Sequence, residues 1–172
     1  ARESSPNVFI RSVQTEGNTT HEDFVEIRND EDCALDLSGW KLKKRTKSGA
    51  EYSIKSFDKT AAILPPGETL LWANSENNFA DTLHASEQSG ETIANDNNAL
   101  ALIDTDDIVV DSLSWGTVGK PFRNDEPNVR NLKAHEMIVR LSKFDAPTIE
   151  KTILPKGKTF DHTSVDFCGA SR

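Results

Sequence analysis

The stretch from Asn97 to Gly116, NNALALIDTDDIVVDSLSWG, decides the fold class. Two apolar runs, near 99–104 and 107–115, flank Thr105-Asp106-Asp107. Asp-rich turn chemistry between two apolar runs predicts a tight antiparallel hairpin. Leu100, Leu102, Val110 and Trp115 are its core candidates. A hairpin cannot bury its apolar side alone, so the rest of the chain has to supply cover.

Working outward, further strands are expected near 7–14, 23–30, 39–46, 51–57, 68–74 and 136–141, separated by Gly, Pro, Asn and Asp. This is the pattern of a sandwich or barrel. In Trp40-Lys41-Leu42-Lys43-Lys44 the apolar residues are read onto one face and the cations onto the other, as in a half-buried strand. Lys47-Ser48-Gly49-Ala50 supplies the following turn, with Gly49 at the position that tolerates positive φ, and Tyr52, Ile54 and Lys55 lead back. Pro65-Pro66-Gly67 cannot continue a central strand and must turn the chain into 68–74. Leu70-Leu71-Trp72-Ala73 is apolar on both faces, so that strand should be central. The best helical window, Glu76 to Ala85, sets Phe79 and Leu83 on one face, but Asn77 and Asn78 limit it to a couple of turns. Long connections remain at 75–97, 116–135 and 143–163, where recognition is expected.

At 172 residues with 35 % hydrophobic side chains, the chain is expected to be one domain, 1–172, with its core at about 7–167. No apolar run approaches the roughly 20 residues that span a bilayer, so membrane insertion is not expected. The opening Ala-Arg-Glu-Ser-Ser-Pro resembles neither a signal peptide nor a transit peptide, as in a mature or trimmed product. The formal charge of −8 is unevenly spread, because residues 61–119 contain no Lys or Arg while 41–60 are locally basic. That distribution disfavours nucleic acid as a partner of the whole surface. Cys33 and Cys168 have no zinc-like spacing. They are either one disulfide, if the fold brings them together, or two separate thiols.

FVEIRN at Phe24 to Asn29, DLSGWKL at Asp36 to Leu42, LPPGETLLW at Leu64 to Trp72 and the Asn97 to Gly116 stretch follow, in order, a pattern that resembles lamin tail domains. The closing part, Arg140 through SVDF at Ser164 to Phe167, is similar to the ending of prokaryotic members. The resemblance covers nearly the whole chain. It implies an all-β, immunoglobulin-like sandwich of about 8 or 9 strands with long loops. It also implies a non-enzymatic interaction or adhesion module that binds a protein or glycan partner, and an extracellular or cell-envelope location. Gly39 fits the sharp turn before Trp40, which is large enough to anchor one side of the core.

Catalytic chemistry finds no support in the sequence. His21, His84, His135 and His162 are scattered, without metal-binding spacing, and no serine sits in a nucleophile elbow. No glycine cluster opens a helix after a strand, so a phosphate loop is absent. Calcium is the one cofactor worth weighing, at Asp96, Asn97, Asn98, Asp104, Asp106 and Asp107, but the spacing is not that of an EF-hand and turn chemistry explains the cluster more simply. The candidate partner site is Lys41, Lys43, Lys44, Arg45 and Lys47, on one hairpin with at least the first two facing outward. It suits a polyanion or an acidic partner, and the competing explanation is an edge strand guarded by lysines. Only Tyr52 is placed to stack on a base, so sequence-specific reading of nucleic acid is not expected. The oligomeric state has no signature in the sequence.

Overall fold

A computed structural model describes residues 5–57, 62–160 and 166–169. The described residues form thirteen strands, numbered in chain order. β1 (Val8–Gln14), β2 (Phe24–Asn29), β7 (Thr69–Asn74), β8 (Glu87–Ser89), β12 (Glu136–Val139) and β13 (Thr148–Lys151) make a sheet in the order β13-β12-β1-β2-β7-β8. The second sheet, β11-β10-β9-β4-β5, is built from β4 (Lys41–Arg45), β5 (Glu51–Ser56), β9 (Asn98–Ile103), β10 (Val109–Trp115) and β11 (Asn128–Val129). A small ribbon pairs β3 (Leu35–Asp36) with β6 (Ile63–Leu64).

All eight expected strands form, including the β9–β10 hairpin with its turn at 104–108, where the Asp107 amide donates to the Asp104 carbonyl. The five additional strands are two to four residues long, too short to show an alternation in sequence. Inner-face residues of both sheets interlock in one apolar cluster that includes Val13, Val25, Ile27, Leu70 and Trp72 from one side and Leu42, Leu100, Leu102, Leu113 and Trp115 from the other. The four hairpin core candidates are all buried. Trp40 is half-buried and packs against the same cluster, behind Gly39 at φ 78°.

β7 lies between β2 and β8, and its two apolar faces have separate uses. Leu70 and Trp72 enter the inter-sheet core, while Leu71 and Ala73 join Phe24 under a short helix, α1 (Phe79–Thr82), and Leu83. Asn77 and Asn78 sit at φ 53° and 59°, which breaks the helical window into a 3₁₀ turn and a single α turn. No described helix is long and apolar enough to cross a membrane.

Two features tie the chain's last third to the rest. A β-bulge between Val109 and Asp111 lets Val110 join the core while Asp111 reaches β1 and accepts the Ile10 amide at 2.8 Å. Arg140, 2 % exposed at the end of β12, donates to the same carboxylate, to the Ile10 carbonyl at 2.9 Å and to the Lys143 carbonyl at 3.2 Å. Its guanidinium also lies over the Phe9 ring. Cys33 and Cys168 form a disulfide, so of the two readings of these thiols the cross-linked one holds. The buried Asn29 amide sets up one side by donating to the Cys33 and Leu64 carbonyls, and a parallel bridge between Ala34 and Phe167 sets up the other. Ser164 and Val165 of the closing motif lie outside the described residues.

The cross-link spans 135 residues, and closing a loop of that size constrains the unfolded chain by ~5 kcal/mol in the chain-entropy view. Reduction is therefore expected to lower the melting temperature by roughly 10–20 °C in a calorimetric scan with and without reductant. Arg140→Met, which leaves Asp111 buried without its counter-charge, should cost ~3–5 kcal/mol in urea unfolding, and an unchanged midpoint would contradict the bridging role.

Candidate functional site

Strand alternation divides the basic hairpin. Lys41, Lys43 and Arg45 line a shallow recess of about 350 Å³ on the outer face of the five-stranded sheet, together with Glu51, Asp107 and Phe122. Lys44 has the parity of Leu42 and points the other way, so the expectation that all the cations share one face fails at this residue. Its ammonium donates to the Thr92 carbonyl and lies 3.5 Å from Glu91, carrying the aliphatic stem to the end of the sandwich. Lys47 is exposed at the turn beside Gly49, whose φ of 88° matches the expected role.

The outward cations are partly neutralised. Glu51 binds Lys43 at 3.1 Å and Arg45 at 3.0 Å. Burial opposes ionisation of Glu51, but hydrogen bonds and charge from both cations hold its carboxyl below the usual range. Arg45 also donates to the Pro121 carbonyl at 2.9 Å and stacks on Phe122, 4.2 Å from the ring centroid. Phe122, unforeseen as a partner, is thus engaged by an arginine, and Tyr52 lies beside Lys44. β4 pairs with both β5 and β9, so it is not the lysine-guarded edge strand of the competing explanation.

The calcium cluster is divided. Asp96 to Asn98 stand at the start of β9 and Asp104 to Asp107 beyond its end, separated by ~20 Å of extended strand. Asp104 accepts the Asp106 and Ile108 amides, which is turn chemistry, and Asn97 accepts the Thr117 amide. His21, His84 and His135 are exposed and far apart in the sequence, while His162 lies outside the described residues.

At the end of the sandwich where Lys44 emerges, Asp23 is buried, with one oxygen accepting the Ile93 amide at 2.6 Å and the other unpaired. Burial pushes its carboxyl up to about 7, against the Ile93 hydrogen bond and the charge of Lys44.

A second recess, of about 400 Å³, opens beside β10, between the 121–127 and 143–146 segments. Asp111 and Arg140 reach its floor. Ser112, 2 % exposed, alternates with Leu113 onto this side, and its hydroxyl has no hydrogen-bond partner. Glu126 accepts the Arg123 amide with one carboxylate oxygen, while the other is buried and unpaired. Lys143 donates to the Pro6 carbonyl at 2.8 Å, and Phe144 is 86 % exposed. Asp111 and Ser112 fall within the Asn97–Gly116 stretch and Arg140 opens the closing one, but nothing in the sequence marks these residues as lining a recess. Their only signal is position, within or beside two of the three loops too long to be mere connections.

A sequence model described as Lamin Tail Domain matches residues 1–117. The chain belongs to the lamin tail domain family. That family is one of non-enzymatic, immunoglobulin-like domains, and membership makes this lamin tail domain an interaction module in the broad sense. No curated protein matches the chain. The matched segment ends just after β10, so β11 to β13, Arg140 and Cys168 all lie beyond it. In this lamin tail domain the β10 recess is therefore composite, with part of its floor from the matched residues and its walls from the two loop segments C-terminal to them.

The raised carboxyl of Asp23 has a direct consequence for stability. With a folded pKa near 7 and an unfolded one near 3.8, the folded state holds the proton more tightly, so this group's favourable contribution is complete below about pH 4 and fades as pH rises through 7. Asp23→Asn should thus be more stable than the parent at pH 8, with the gap closing toward pH 4. Urea midpoints at both pH values would show it, and equal gaps would refute it.

Proposed function

We propose that this lamin tail domain is an extracytoplasmic, non-catalytic interaction or adhesion module of the prokaryotic type, displayed at the cell surface or secreted, with a protein or glycan partner. Residues 1–172 act as one domain, a reading supported by the way β12 and β13, which lie beyond the matched segment, extend the sheet that contains β1. The observation that carries the location is the Cys33–Cys168 cross-link, since structural disulfides persist in oxidising compartments and are rare in reducing ones. The long connections support a loop-mediated contact, because two of them wall a recess rather than trail in solvent.

Polyanion binding by the basic hairpin is the second reading, favoured by the outward row Lys41, Lys43 and Arg45. Two observations weaken it. Glu51 already occupies Lys43 and Arg45, and the whole chain carries −8. Among the described residues of the hairpin, Lys41 and Lys47 are the cations without a carboxylate partner.

Mass spectrometry of the protein taken from its own cells after thiol blocking should find Cys33 and Cys168 unlabelled. Labelled thiols would refute the extracytoplasmic assignment. Binding to heparin or duplex DNA is expected to be weak at about 50 mM salt and absent at about 200 mM. Tight, salt-sensitive binding lost in Lys41→Glu/Lys43→Glu would make the polyanion reading the correct one. These two lysines are chosen over Lys44, whose inward ammonium makes it a structural residue.

A further inference from the structure

We propose that the recess over β10 binds a carboxylated sugar residue of a partner glycan. This rests on the interaction-module reading above and gives that reading a ligand class and a place.

Three sets of groups converge there. Ser112 Oγ and Glu126 Oε2 are buried and have no hydrogen-bond partner, although buried polar atoms are normally satisfied. Both residues line the recess, so a small rotation of either side chain presents its oxygen to a ligand hydroxyl, which would donate to the carboxylate and exchange a hydrogen bond with the serine. Arg123 and Lys143 border the same space, and among the described residues neither forms an ion pair. Lys143 is held below its ordinary range by burial, with Arg123 and Arg140 adding to the effect against the pull of Asp111 and Glu31. An anionic group between Arg123 and Lys143 relieves their repulsion. Phe144 offers an aromatic face at the rim that is 86 % exposed, suited to the apolar face of a pyranose.

Size and field narrow the ligand. A volume of about 400 Å³ is at the small end of the roughly 300–1,000 Å³ range of small-molecule pockets, enough for one sugar residue and its immediate neighbour. The exposed Asp125 and Asp145 at the edge, together with the net charge of −8, repel an extended polyanion while leaving room for one carboxylate held at short range. One carboxylate flanked by hydroxyls on a ring with an apolar face is the chemistry of a uronic or sialic acid.

The test is titration of the intact, oxidised, ¹⁵N-labelled chain with methyl glucuronide and methyl sialoside, with methyl glucoside as the neutral control and an acetylated dipeptide carboxylate as the peptide control. At least one acidic sugar should give saturable amide shifts at Ser112, Arg123, Glu126 and Phe144, with Kd about 1 mM or tighter, and the glucoside should bind at least about tenfold more weakly. Arg123→Ala and Phe144→Ala, both changes at the recess border, should each weaken the acidic sugar about tenfold while leaving the remaining resonances in place. No saturable shift for either acidic sugar up to about 20 mM, a response centred on Lys41 and Lys43, equal binding of the glucoside, or preference for the dipeptide would each overturn the proposal. The two readings fail separately. An intact disulfide in cell-derived protein with silent titrations removes the sugar site alone, whereas free thiols remove the extracytoplasmic reading whatever the titrations give.

Discussion

The meeting of Asp111 and Arg140 between the sheets is the constraint on which the outer third of the molecule depends. A buried charge is costly without its opposite, and here the cost is offset only if β10, β1 and the end of β12 are all in place. Burial pushes the Asp111 carboxyl upward while Arg140 and the Ile10 amide draw it down, so the carboxylate relies on neighbours from both ends of the chain. The same guanidinium fastens the Lys143 carbonyl, which places the segment that walls the β10 recess. A contact that stabilises the fold therefore also shapes this recess.

How much of this is legible in the sequence depends on what each residue's neighbours are. Leu100 and Leu102 announce themselves because period-two alternation needs only local reading, whereas Val110 and Trp115 differ in parity and share the core only because of the bulge between Val109 and Asp111. Leu70 to Ala73 does so too, since an apolar run on both faces has to be covered twice, by the opposite sheet and by α1. The lamin-tail resemblance adds what alternation cannot, that the strands make an immunoglobulin-like sandwich and not a barrel. Strands of two or three residues such as β3, β8 and β11 leave no pattern, because their pairing is dictated by partners rather than by their own composition.

The candidate site is less legible for a related reason. Strict alternation predicts that Lys44 belongs with Leu42, yet three lysines so close together read as one solvated face. Glu51 is visible in sequence, but its grip on two cations depends on the register of β4 against β5. The β10 recess is harder still, since Ser112 and Glu126 are ordinary residues whose importance comes from being buried without partners. Long loops can be named as places to look, and no composition says which of their atoms will be left unsatisfied.

The disulfide also has a mechanical meaning. A tension applied to the chain on either side of the cross-link passes directly from Cys33 to Cys168, so residues 34–167 carry no load while the bond lasts. Of the two main sheets, only β1 and β2 lie outside that loop, at the centre of the six-stranded sheet. Pulling would peel those two strands away and then stop, capping the released length at about 3.5 Å for each of the residues before Cys33, while the whole five-stranded sheet, the β10 recess included, stays within the shielded loop.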